Sequence, residues 1–195
     1  MSPSTEDEPD DRGAGWTTLS SRTVYDNPWI TVSHRDVLAP TGHPGIYGLV
    51  HFKQRAVGVV PLDDEEHTWL VGQWRYTLDA WSWEIPEGGA PPGETPLACA
   101  RRELAEETGL AAARWTPLLE LHTSNSVTDE HAVAYLARGL TAGVAAPDET
   151  ERLALRRLPL DEAVAMVLDG RITDALAMAS LMKVHLLRSR AELPA

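Results

Sequence analysis

Glu103, Glu106 and Glu107 stand three and four residues apart in the run PLACARRELAEETGL. At about 100° per residue the three carboxylates of a helical segment fall within one arc of about 100°, beside the direction taken by Leu97 and Leu104. Glutamates at this spacing repel one another by about 0.2–0.5 kcal/mol per pair, and the last turn of a helix disfavours negative charge further. A pattern that breaks local rules without local gain asks for a compensator from outside, and for clustered carboxylates that is a hard divalent cation: magnesium, with manganese as the alternative. The implied chemistry is metal-assisted attack on an oxygen-rich substrate. The chain has no glycine-rich P-loop with its lysine, so the metal must neutralise any phosphate bound here.

The elements that must position these acids are legible nearby. Thr95 can cap a helix from Pro96 to Thr108, proline is tolerated at the first helical position, and Gly109 can take the left-handed conformation that ends it. Ahead of the helix, EIPEGGAPPGE reads as a glycine and proline loop leaving the strand WSWEI, so the backbone at Gly88 and Gly89 can come close to a ligand. The bland alternative is a solvated helix face.

The same residues resemble the Nudix box: glycine, five residues, Glu, seven residues, Arg-Glu, an aliphatic residue, any residue, Glu-Glu, any residue, glycine and an aliphatic residue. Gly88, Glu94, Arg102, Glu103, Leu104, Glu106, Glu107, Gly109 and Leu110 meet every fixed position. The resemblance implies an α/β fold, an α/β/α sandwich around a mixed sheet, in which Glu103, Glu106, Glu107 and the main-chain carbonyl of Glu87 hold Mg2+ or Mn2+. Glu107 is then also a catalytic residue, while Glu94, Arg102 and Gly109 are structural, the first two as an ion pair joining loop to helix. Water splits a diphosphate linked to another group.

Substrate choice lies outside the box. GQWRY followed by WSWEIPEGG is similar to the nucleoside diphosphate sugar branch, ADP-ribose pyrophosphatases especially, and puts Gln73, Arg75, Glu84, Gly88 and Gly89 at substrate-binding positions. Arg75 offers a planar guanidinium to phosphate oxygens or a base; the competing role is a surface ion pair. Trp74, Trp81 and Trp83 could stack on a nucleobase, although alternating aromatics on strands more often fill a core. Members specialised for ADP-ribose tend to carry a proline about fifteen residues past the box; Ser124, Asn125 and Ser126 stand there instead. A GDP-mannose- or UDP-glucose-preferring hydrolase is therefore the close rival, and a nucleotide-sensing Nudix module without turnover is a further alternative.

With the box glutamates committed to metal, a general base is expected from a separate loop. TSNSVTDEH offers Asp129 and Glu130; AAPDETERLAL offers Asp148, Glu149 and Glu151. Counting back from the helix that begins at Asp161, the resemblance favours Glu149 as base and Glu151 as an added metal contact, with Glu130 second. Short acidic loops are also often merely solvated.

The whole chain is compatible with this reading. Its 195 residues and 43% hydrophobic composition suit one domain with a small extension. The strands WTTLSSRTVYD, WITVSHRDVLA and IYGLVHF suggest a β unit over 15–52, ahead of a hydrolase domain over 53–195 and behind a disordered acidic tail over 1–14. In this branch such an N-terminal antiparallel extension commonly joins two chains, so a homodimer through these strands is expected, with a monomer as the alternative. A formal net charge of −12 argues against nucleic-acid partners, including RNA pyrophosphohydrolysis. No apolar run has the length of a membrane span, and the acidic start is unlike a signal peptide, so a cytoplasmic location is expected. The single cysteine, Cys99, reads as packing, as do Met166, Met178 and Met182.

Overall fold

A computed structural model describes residues 15–145 and 152–194. They form two compact units, one running to Phe52 and including Ser126–Asp129, the other comprising Lys53–Asn125 and the residues from Glu130 onward. The acidic tail expected over 1–14 lies outside the described residues.

The first unit is an antiparallel meander of β1 (Thr17–Asp26), β2 (Ile30–Leu38) and β3 (Pro44–Phe52). Its turns follow from local chemistry. Asn27 accepts the N–H groups of Trp29 and Ile30 through its side-chain oxygen at 2.9 and 2.7 Å, and Gly42 supplies the positive φ of 83° that the next turn requires. The segment 126–129 is tied to β3: Tyr47 donates its hydroxyl to the Ser126 carbonyl at 2.7 Å, and Asp129 accepts from the Phe52 N–H at 3.1 Å. Strand β1 is exposed along its whole length and carries Leu19, Val24 and Tyr25.

The second unit contains β4 (Arg55–Pro61), β5 (His67–Arg75), β6 (Ala80–Glu84), β7 (Glu87–Ala90), α1 (Pro96–Thr108), β8 (Leu110–His122), β9 (His131–Ala142), β10 (Ala154–Pro159), α2 (Leu160–Leu168) and α3 (Ala175–Ser189). A four-stranded sheet has the order β7-β4-β9-β8, mixed because β4 runs parallel to β9 while the other pairs are antiparallel; a second sheet has the order β10-β5-β6. The near-continuous apolar reading of β4 follows from burial on both faces. Val57 and Val59 pack with Cys99, Ala100 and Leu104 of α1, while Val60 and Leu62 pack with residues of α2 and α3 such as Val164, Met166 and Leu181. Strand β9 divides in the same way, Val133 and Ala137 toward α1, Ala132, Ala134 and Leu136 toward the other core. Period-2 alternation thus feeds two cores, and helices cover both faces: an α/β/α sandwich. The approach is close. A Cβ on Gly58 would come within 2.9 Å of both Ile85 and Leu176.

One sequence expectation needs correction. Much of EIPEGGAPPGE is not loop, because Glu87–Ala90 forms β7 and pairs antiparallel with Arg55–Gly58. Glycines weaken a strand's own preference, but a ready-made edge on β4 supplies the pairing that local sequence does not.

Candidate active site

Helix α1 sets the box. Thr95 is extended (φ −76°, ψ 149°) and accepts the Ala98 N–H at 3.2 Å; Pro96 opens the helix; Gly109, at φ 70°, donates its N–H to the Ala105 carbonyl at 2.9 Å. With Cys99, Ala100 and Leu104 fully buried, the helix cannot rotate, and its acidic arc is held toward β7. Glu107, only 6% exposed, accepts the backbone N–H of Glu87 at 3.0 Å. A Cβ on Gly88 would lie 2.0 Å from Glu103 Oε1, so the glycine is what lets that carboxylate lie against the strand.

Arg102 is the hub. Its guanidinium forks onto Glu94 at 3.0 and 2.8 Å, reaches Glu103 at 2.6 Å and Glu106 at 3.0 Å, and donates to the Gly89 carbonyl at 3.2 Å. This revises the charge argument from sequence: part of the compensation for the clustered acids is local, one arginine shared by three glutamates. Glu94 is held below the usual carboxylate range by its Arg102 hydrogen bond. Cys99 is pushed up to about 12 by burial and by the neighbouring Glu103 charge, which makes it packing rather than a nucleophile.

A second polar group adjoins the box through Glu87. The antiparallel register of β5 and β6 brings Arg75 and Gln73 to Glu84. Arg75 donates to Glu84 through two parallel bonds, 2.8 and 2.5 Å, and reaches Glu87 at 3.4 Å, while the Gln73 amide is 3.4 Å from Glu84. Glu84 is 3% exposed, so this is a buried fork rather than a surface pair. The Glu84 hydrogen bond raises the Arg75 pKa, with the charges of Glu84, Glu87 and Asp174 adding to it. Burial, then the Asp174 and Glu84 charges, push Glu87 well above the usual range. Burial also raises Asp174.

Asp174 was missed by the sequence reading, which begins the last helix at Thr173 and so hides the cap. It is the N-cap of α3, extended (φ −65°, ψ 129°) and accepting the Ala177 N–H at 2.7 Å. An aspartate just ahead of an apolar helical run is the signal that could have found it.

The three tryptophans separate. Trp83 packs against the core, whereas Trp74 and Trp81, paired across β5 and β6, are 60% and 47% exposed. Glu130 accepts a hydrogen bond from the Thr123 hydroxyl. Asp148, Glu149 and Glu151 lie outside the described residues. Asp129 is paired with His51 at 2.6 Å in the first unit.

The donor set fits divalent cations. Glu87 Oε2 is buried with no hydrogen-bond partner, Glu107 lies against the same residue's amide, and Gly88 makes the cradle in which Glu103 rests. Among the described residues only Asp63, Glu65 and His67 bring three donor atoms within 4.8 Å of one another. That trio is a turn: Asp63 accepts the Glu65 and His67 N–H groups at 2.9 Å, and Arg157 bonds both acids. The box acids, divided between Arg102 and the Glu87 amide, are more widely set. Magnesium tolerates this, because it keeps several waters and takes one or two protein carboxylates together with substrate phosphates.

A mixed sheet between helices, with a glycine-cradled acidic helix at its edge, defines a hydrolase of the Nudix fold. The NUDIX domain matches residues 52–181, and the chain belongs to the Nudix family. Residues 16–50 match the nucleoside diphosphate sugar hydrolase N-terminal domain. The chain is 35% identical to an ADP-ribose pyrophosphatase of Mycobacterium tuberculosis over 86% of its own length and 82% of the relative's. It is 33% identical to a CMP-5'-(N-acetyl-N-hydroxy-3-aminopropyl)phosphonate hydrolase of Streptomyces rubellomurinus, over 85% and 81%. The crystal structure of an ADP compounds hydrolase superposes with a TM-score of 0.81 at 25% identity, covering 92% of this chain and 97% of that one. The chain is a Nudix hydrolase similar to ADP-ribose pyrophosphatases. No described helix is long and apolar enough to cross a membrane.

Proposed function

We propose that this enzyme hydrolyses the diphosphate of ADP-ribose or a related nucleoside diphosphate sugar to a nucleoside monophosphate and a sugar phosphate. The observation that carries the reading is the joint presence of a complete, geometrically assembled box and an N-terminal unit of the nucleoside diphosphate sugar hydrolase type. Glu103, Glu106, Glu107 and the Glu87 carbonyl would hold magnesium, which when bound supplies Lewis-acid polarisation and charge neutralisation at the diphosphate. Arg102 and Glu94 fix the loop to the helix, so the acidic arc keeps its place. Gln73, Arg75 and Glu84, with the backbone at Gly88 and Gly89, line the substrate side, and Arg75 is preorganised by its fork to Glu84. A loop carboxylate, Glu149 in the first instance and Glu130 in the second, takes the proton of the attacking water; oxygen adds to phosphorus as the P–O–P bridge breaks, and the bridging oxygen leaves with the other phosphate. Glu151 adds a metal contact in the same loop.

The apolar residues displayed by β1, Leu19, Val24 and Tyr25, support a homodimer through the first unit. A preference for GDP-mannose or UDP-glucose is the second reading, favoured by Ser124–Asn125–Ser126 where ADP-ribose specialists carry proline. A panel of nucleotide sugars and nucleoside triphosphates with magnesium, read by monophosphate release, is the test. Turnover of ADP-ribose or another nucleotide sugar with triphosphates left nearly intact is expected; preferential attack on triphosphates overturns the substrate class, and binding without release favours a sensor.

A further inference from the structure

The side chain of Glu87 has no part in the reading above, which uses only its carbonyl. It nevertheless stands where a carboxylate is hardest to keep. Glu84, Glu107 and Asp174 all act on it as like charges, and the one cation among them is Arg75. That guanidinium is already spent: it forks onto Glu84 at 2.8 and 2.5 Å and reaches only one Glu87 oxygen, at 3.4 Å. The other oxygen, Oε2, is buried without a hydrogen-bond partner, and the side chain as a whole is 16% exposed. A buried carboxylate oxygen left unmatched costs stability, because lost hydration is not replaced. The neighbouring backbone shows what lies on its other side: the Glu87 N–H is bonded to Glu107, a box acid.

We propose that the Glu87 side-chain carboxylate is an additional anionic ligand of the divalent-cation site, joining Glu107 from the β7 side. The inference rests on the box as the metal site. The group that leaves Glu87 Oε2 unmatched in the protein alone is then supplied by the cation, and Asp174 and Glu84 add to the negative potential behind it. Arg75 remains the partner of Glu84.

The test uses the full chain, stripped of metal, with Mn2+ titrated by electron paramagnetic resonance in the absence of nucleotide, and thermal melting in chelator. Glu87→Gln keeps shape and hydrogen bonding; Glu87→Ala removes the group; Glu107→Gln is the control for the box itself. Both Glu87 variants are expected to weaken Mn2+ binding by about tenfold or more, and Glu87→Gln is expected to melt at a higher temperature than wild type in chelator, because a buried like charge has gone. A residue that served only as an ion-pair partner of Arg75 would lower the melting temperature and leave Mn2+ affinity unchanged. If Glu107→Gln loses Mn2+ while both Glu87 variants bind it within twofold of wild type, this inference fails and the box reading stands. If Glu107→Gln also binds Mn2+ normally, the box reading fails and takes the inference with it.

Discussion

Replacing Gly88 by alanine adds a single methyl group at the point of closest approach between β7 and the box helix. The new Cβ would lie 2.0 Å from Glu103 Oε1 and 2.2 Å from its carboxyl carbon. Ordinary contact is near 3.5 Å, so the carboxylate must withdraw by about 1.5 Å. The obstructing atoms end a flexible side chain, and the fold survives by letting it swing. Glu103 then gives up its 2.6 Å bond to Arg102, worth about 1.5–3 kcal/mol for a charged pair, and overpacking of this kind costs about 1–3 kcal/mol of stability. Function suffers more. A displacement on the order of 1 Å at a positioned group costs about 100-fold in rate, equivalent to about 2.7 kcal/mol of transition-state stabilisation. The assay is kcat/KM for monophosphate release at several magnesium concentrations, alongside a melting curve. Gly48→Ala is the control, since a Cβ there meets nothing within 4 Å. Gly88→Ala with kcat/KM within threefold of wild type, in a sample that melts normally, would refute the idea that Glu103 must rest against Gly88.

Asp63 should contribute a pH-dependent part of stability. Burial opposes its ionisation, but the N–H groups of His67 and Glu65 and the Arg157 side chain outweigh it, so its pKa lies below the ordinary value. A lowered folded pKa gives stability that is present above the unfolded carboxylate pKa, about 3.9, and lost as pH falls through the folded one. The difference in unfolding free energy between wild type and Asp63→Asn should therefore be full near neutrality and shrink on acidification below about pH 4; a constant difference would show that the charge is irrelevant. Cys99, buried and pushed up to about 12, should resist alkylation at pH 8 in the native protein and react on denaturation, as mass spectrometry would show. For the general base, Glu149→Gln should depress kcat far more than it raises KM, and that signature in Glu130→Gln instead would move the base to the other loop. Leu104→Ala, at a fully buried position beneath the acidic arc, should cost about 2–5 kcal/mol of stability in denaturant titrations.

The box helix was legible from sequence because its limits are local. Thr95, Pro96 and Gly109 act on the backbone within one turn, and the spacing of Leu104 against the acids fixes which face is buried. The alternating apolar residues of β4 and β9 likewise announce strands, since side-chain direction along a strand depends only on the residue count. Tertiary structure decided what depends on a partner distant in the chain. Gly88 and Gly89 belong to a strand only because β4 offers an edge, and Arg75 became a buried fork on Glu84 because the β5–β6 register places them together. The separation of Trp83 from Trp74 and Trp81 depends on which face of that pair meets the core. Sequence spacing determined the acids themselves; which cation each one meets, Arg102 for Glu94, Glu103 and Glu106, or Arg75 for Glu84 and Glu87, was decided by the packing of strand against helix, because electrostatic pairing depends on distance in space and on burial rather than on separation along the chain.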